Sequence, residues 1–283
     1  MVLESLLNPT RPEHRPFSLL IIGFVYATVG LFLGLWIFEE YASMIMIFLT
    51  VMAAIPLIFA TITFEEEKDD HIEKETTLLR EHAKALSVFF FFFLGSMVAF
   101  TLWYVVLPSS VSSLAFLSQS KTIVDLNQQI TGNIAEQIPL FMKIIMNNVK
   151  VLIFCILFSF VYGTGAIFIL TWNASVIGVA LGNFIRTNLS QYALSHGFEH
   201  TGTYLYVVSL SLARYMVHGI PEIVAYILGG LAGGIISVAA VKHRFETKKF
   251  FHVLLDAADL LIISLAVLLI AGLLEVFVTP LLV

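Results

Sequence analysis

An all-α, polytopic helical membrane protein is the fold class this sequence predicts, and three observations carry the prediction. Hydrophobic residues make up 59% of the 283-residue chain and charged residues 12%, whereas a soluble globular domain carries about 25% charged residues. Mean hydropathy is +0.93. Apolar runs recur at 18–38, 44–64, 86–107, 149–171, 222–241 and 253–279, each near the roughly 20 residues a helix needs to cross the hydrocarbon core. Two further apolar stretches, 174–185 and 204–217, are shorter. The expectation is six full transmembrane helices plus two short or broken segments of re-entrant type, with outer amphipathic helices. They form a single membrane domain over 1–283: three N-terminal spans in 18–107, an outer amphipathic segment at 108–146, and a glycine-rich, polar-lined helical half at 147–283.

The chain opens on MVLESLLNPTRPEHRPF, a polar, proline-broken stretch with no small-residue cleavage site before the first span. It does not read as a cleaved signal peptide. Orientation follows from Lys and Arg, which are retained on the cytoplasmic side. Arg11, Arg15, Lys68, Lys74, Arg80, Lys84, Lys242, Arg244, Lys248 and Lys249 can share one face if the N-terminus is inside. Parity then takes 174–189 outward as a short crossing, with Arg186 snorkelling to the outer surface, and leaves the C-terminus outside.

Between the second and third spans, 62–85 reads as a charged, solvated helical extension with Asp70 and Lys74 at i,i+4 spacing. Its acidic part, 65–85, is one candidate surface for a protein partner. The other is 108–146, whose apolar residues fall at helical spacing in two pieces, the second from Ile134 to Met146, and which reads as two amphipathic helices on the outer face. A lid packed on its own bundle is the plainer alternative. The formal net charge of −5 comes largely from EEEKDDHIEKE at 65–75, and nothing points to nucleic acid. Cys155, the one cysteine, lies in the apolar run VLIFCILFSF and reads as a small core hydrophobe.

The second half holds Gly163, Gly165, Gly178, Gly182, Gly229, Gly230, Gly233 and Gly234 at spacings that let helices approach closely in lipid. The overlapping Gly-x-x-x-Gly pairs of 229–234 suit an internal helix pair or a homodimer. Polar residues accompany them: Asn147 and Asn148 at the mouth of the fourth span, Asn173 just after it, then Asn183, Arg186 and Arg214. Asp256 and Asp259 are read as starting the last helix, where the dipole favours acids; Glu275 has no such explanation.

The most informative stretch is His218-Gly219-Ile220-Pro221-Glu222, a histidine and a carboxylate straddling two helix breakers in membrane-depth sequence. Gly219 suits a helix C-terminus and Pro221 the first turn of the next helix, where Glu222 would meet free amides. The 20 residues from Glu222 to Val241 reach about 30 Å, which sets the expected break near the outer interface. A midplane site flanked by broken helices, in the manner of secondary transporters, is the alternative. His196-Gly197-Phe198-Glu199-His200 matches H-x-x-E-H, a zinc-enzyme spacing, but its glycine-rich surroundings favour a loop. No cofactor is expected, and His196, Glu199 and His200 are weak zinc candidates.

The Asn147-Asn148 pair, Gly163 and Gly165, Asn173, Gly178 and Gly182, then HGIPE and GGLAGG, resemble the stage II sporulation protein M family, as an archaeal or other non-sporulating member. The likeness is most specific from about 145 to 240; the family's Asn-Gly is here Asn173-Ala174. Bacterial members anchor a complex with cell-wall hydrolases during engulfment, so the resemblance implies a membrane scaffold organising partner proteins. The residues themselves leave two alternatives, an ion- or proton-coupled transporter or channel using His218 and Glu222, and an intramembrane zinc enzyme.

Overall fold

A bilayer core offers the backbone no water, so each apolar run must close its hydrogen bonds on itself and does so as a helix. The computed structural model describes residues 16–71, 75–127, 137–159, 164–196, 201–242 and 248–279, helical almost throughout and without a strand among them. Helix α1 is Pro16–Ile37; a 3₁₀ turn, Glu39–Tyr41, leads into α2, Ala42–His71, and α3 is Glu75–Val106. Two short helices follow, α4 (Ser109–Ala115) and α5 (Leu117–Asn127), and then α6, Gln137–Ser159, and α7, Thr164–His196. Helix α8 is Thr201–Lys242, and α9, Lys248–Leu273, continues as a π-helical turn over Leu274–Val278.

Among the described residues seven helices are long and apolar enough to cross a membrane. The spans are Phe17–Ile37, Glu39–Ile62, Leu86–Val106, Ile138–Leu157, Ile167–Thr187, Met216–Ser237 and Phe250–Val278. The polytopic all-α class stands, but the division into six full and two short segments does not. The run 149–171 is two helices: α6 ends at Ser159 and α7 begins at Thr164. Hydropathy does not register the poor helix formers of Gly163-Thr164-Gly165. Conversely, Lys143, Asn147, Asn148 and Lys150 dilute 138–157, so the start of a membrane-length helix reads as amphipathic. Asn147 and Asn148 therefore lie within α6 rather than at its mouth, Asn173 lies inside α7, and 174–185 belongs to a full span. Helix α9 starts at Lys248, two turns ahead of Asp256, so neither Asp256 nor Asp259 is in a first turn; Asp256 instead faces His252 at 3.6 Å.

Close approaches through glycine set the packing. Gly23 of α1 abuts the Phe92 carbonyl of α3 and Gly95 of α3 abuts the Leu20 carbonyl of α1, so the backbones nearly touch where the helices cross; the two run parallel, with Phe17 beside Phe91 and Thr28 accepting from Trp103 further along. Helix α2 packs antiparallel to α1, Ala42 beside Gly34 and Met46 and Thr50 beside Gly30. Helix α7 runs parallel to α3, Gly178 against Phe100 and Gly182 against Tyr104. Further along, Arg186 donates to the carbonyls of Val105 and Leu107 at the C-terminal end of α3, and its guanidinium lies 5.6 Å from the Tyr104 ring centroid. Arg186 thus caps a neighbouring helix, whose terminus carries partial negative charge.

The segment expected as two outer amphipathic helices is otherwise arranged. Helices α4 and α5 close over the bundle: Phe116 between them is fully buried against Phe100 and Tyr104. Gln119 donates to the Ser43 carbonyl at 3.0 Å, and Ser118 and Ser43 share a 2.8 Å hydrogen bond. This is the lid reading. Gly229, Gly230, Gly233 and Gly234 are all buried, Gly229 against Leu152 and Ser264 and Gly234 against Ile62. Their spacing closes the chain's own bundle.

These contacts predict opposite outcomes at two glycines. A Cβ at Gly95 would meet rigid backbone, whereas at Gly219 the nearest atom is Ile177 Cδ1 at 3.9 Å. Gly95→Ala should lower thermal stability in detergent by roughly 1–3 kcal/mol. Gly219→Ala should be neutral or stabilise by up to about 1 kcal/mol; a large loss there would show that the helix is not continuous at this point.

Candidate functional site

Helix α8 runs unbroken through His218-Gly219-Ile220-Pro221-Glu222, with Pro221 inside it. The expected break at Gly219 and Pro221 is absent, and Gly219 has no left-handed φ. Glu222 is therefore not in a first turn and draws nothing from free N-terminal amides. Glu222 lies six residues inside the span Met216–Ser237, and Glu275 lies three residues inside the end of the span Phe250–Val278.

His218, Glu222 and Tyr226 follow each other at i,i+4 spacing and so share one face of α8. The Tyr226 hydroxyl donates to Glu222 Oε1 at 2.6 Å, and Tyr226 is 1% exposed. That face meets α9, which runs antiparallel: Ser264 donates to the Ala225 carbonyl at 2.7 Å, and His218 Nδ1 lies 3.0 Å from Thr279 Oγ1. The Thr279 hydroxyl directs its one proton to the Leu274 carbonyl at 3.1 Å.

The π-helical turn Leu274–Val278 carries Glu275, four residues before the Thr279 that meets His218. Such turns widen a helix by one residue and recur at functional sites. Helix α6 closes the third side with Leu152 and the fully buried Cys155, packed with Tyr226 and Leu268. His218, Glu222, Glu275 and Thr279 are half-buried. Glu222, Tyr226 and His218 on α8 thus lie with Glu275 and Thr279 on α9 along one helix contact, a set able to hold a proton, while Ser264 fastens the two helices further along.

The other sequence candidates do not join this cluster. Asn148 is buried on α6 and Asn173 half-buried on α7, while Asn147 and Asn183 face outward. Arg186 is the α3 cap. Arg214 lies within α8 and His196 ends α7, with their side chains outside the described residues. Glu199, His200, Gly163, Lys74, Arg11, Arg15 and Arg244 lie outside the described residues altogether, as does the Asp70–Lys74 pairing. Among the described residues no group of three His, Cys, Asp or Glu side chains is placed to hold a metal ion. Sequence reasoning marked His218, Glu222 and Glu275 but missed Tyr226, Ser264 and Thr279. Tyr226 was within reach of the i,i+4 rule applied to an unbroken helix.

The Glu222–Tyr226 bond makes a measurable claim. Tyr226→Phe strands a half-buried carboxyl oxygen and should cost roughly 1–3 kcal/mol in unfolding of the detergent-solubilised protein. In a Glu222→Ala background the same change should cost about 1 kcal/mol less; equal costs would mean the bond is not made.

Residues 87–280 match the family model described as Stage II sporulation protein M. No curated protein and no solved structure matches the chain. The match covers well over half of the sequence, and the chain belongs to that family.

Proposed function

We propose that this multi-pass membrane protein of the stage II sporulation protein M family is a proton- or cation-coupled transporter or channel built around Glu222 and Glu275. What supports the reading is the contact of α8 with α9, in which His218, one turn from Glu222, meets Thr279, four residues beyond Glu275, so that both carboxyl groups lie at the same end of two membrane spans. Two ionised carboxylates there would repel each other with little water to screen them. The pair is relieved by a shared proton or by a cation between the oxygens, and either can be exchanged. Tyr226, His218 and Thr279 supply the hydrogen bonds that position it. The unbroken α8 argues against the broken-helix arrangement of secondary transporters, so exchange here proceeds within a continuous helix pair.

Family membership supports a second reading, a membrane scaffold organising partner proteins. Its docking candidates are 108–146, of which α4 and α5 pack on the bundle, and 65–85. On both readings we place the N-terminus in the cytoplasm and the C-terminus outside, which an odd number of spans and the retention of Lys and Arg on the inner side support.

Purified protein reconstituted in vesicles with an internal pH dye should dissipate a proton or cation gradient, and Glu222→Gln and Glu275→Gln should each slow this at least tenfold. Wild-type vesicles that stay silent under proton, sodium and potassium gradients would overturn the transport reading and leave the scaffold.

A further inference from the structure

We propose that the outward face of α6 binds a membrane-spanning helix of a partner protein, one that carries a glutamate or aspartate within its apolar stretch. Lys143, Asn147 and Lys150 follow each other at i, i+4 and i+7 and so form one stripe, and all three are exposed. Leu152 and Cys155, which α6 contributes to the carboxyl site, are buried on the opposite side. The stripe is separate from that site, and the inference does not depend on transport.

Position in the span makes the stripe costly in lipid. Asn147 is at the middle of the 20-residue span Ile138–Leu157, and Lys150 lies seven residues before its end. Lys143, near Ile138, can snorkel to the surface. Asn147 is too short to do so, and about 10 Å of helix separates Lys150 from Leu157, more than a lysine side chain covers. Polar groups held in hydrocarbon call for a partner. Among the described residues neither Asn147 nor Lys150 has a hydrogen-bond or ionic partner, and the α6 span is the least buried of the seven.

Charge decides the occupant. A second copy presenting the same stripe would set lysine against lysine. Nor does the exposed Asp259 of α9 serve: α9 runs antiparallel to α6, with Ile145 beside Gly272 and both Leu152 and Ser264 beside Gly229. That register puts Asp259 level with Leu157, about 10 Å along the helix from Lys150. A lipid headgroup stays at the surface. Asn147 and Lys150 are neighbours at i,i+3, so one carboxylate on a facing helix accepts from the amide and the ammonium together. Phe154 and Leu157, exposed further along the same face, supply apolar contact.

The test reconstitutes the full chain in bilayers with a synthetic dansyl-labelled leucine–alanine helix bearing one central glutamate, and reads energy transfer from the protein's tryptophans. Transfer should saturate at about tenfold lower mole fraction than with the same helix bearing leucine there, the worth of one polar contact between helices in lipid. Lys150→Leu should abolish that preference and Lys150→Arg should keep it, both with the thermal midpoint unchanged. Equal transfer to the two helices, a preference that survives Lys150→Leu, or copies of the protein that associate through Lys150 and exclude the glutamate helix would each overturn the proposal.

Discussion

Enclosure of α8 is the constraint on which the rest of this structure depends. Its span is 72% buried, against 61% for α7 and 28% for α1 and α9. Lipid tails are as apolar as leucine, so no hydrophobic force drives one helix against another in the bilayer; close van der Waals contact must do so. Gly229 and Gly234 let α6, α9 and α2 reach the α8 backbone, where a Cβ would collide with Leu152 or Ile62. Without that approach, Glu222 and His218 would face hydrocarbon, where a polar group lacking a partner costs several kcal/mol.

The same energetics explain why the sequence rule at His218–Glu222 fails. A helix break between Gly219 and Pro221 would leave about four amides and four carbonyls without intrahelical partners. Near an aqueous surface, water satisfies them. Within a membrane span each costs several kcal/mol, whereas a proline kept within the helix costs about 3 kcal/mol. Continuity wins by a wide margin, and a 42-residue helix results. Gly and Pro act as punctuation in water; here the solvent removes their alternative.

The helical membrane class was legible because hydropathy over some 20 residues records transfer free energy directly. The boundary between α6 and α7 was not, because it depends on two glycines inside a continuous apolar run and on polar residues inside a true span. Within the site, Glu275 stood out as a carboxylate that no dipole explained, and it lies at the same end of two membrane spans as Glu222. Thr279 and Ser264 carried no such mark. A hydroxyl at membrane depth most often bonds the carbonyl one turn back, as Thr50, Thr61 and Thr171 do, and nothing in composition separates those from the two that bridge α8 and α9. Arg186 carried a signal that was misassigned: a cation near a span end reads as snorkelling until the exposed carbonyls of a neighbouring helix are in place.

Pro221 lies within α8 beside Glu222. Lacking an N–H, it leaves the Val217 carbonyl without its usual partner one turn ahead, so the helix is least constrained at the turn that holds Glu222. Beside that turn the carboxyl face meets α9 at its π-helical turn, itself an irregularity in hydrogen bonding. The turn of α8 that lacks a backbone hydrogen bond thus lies within the most enclosed span and carries Glu222.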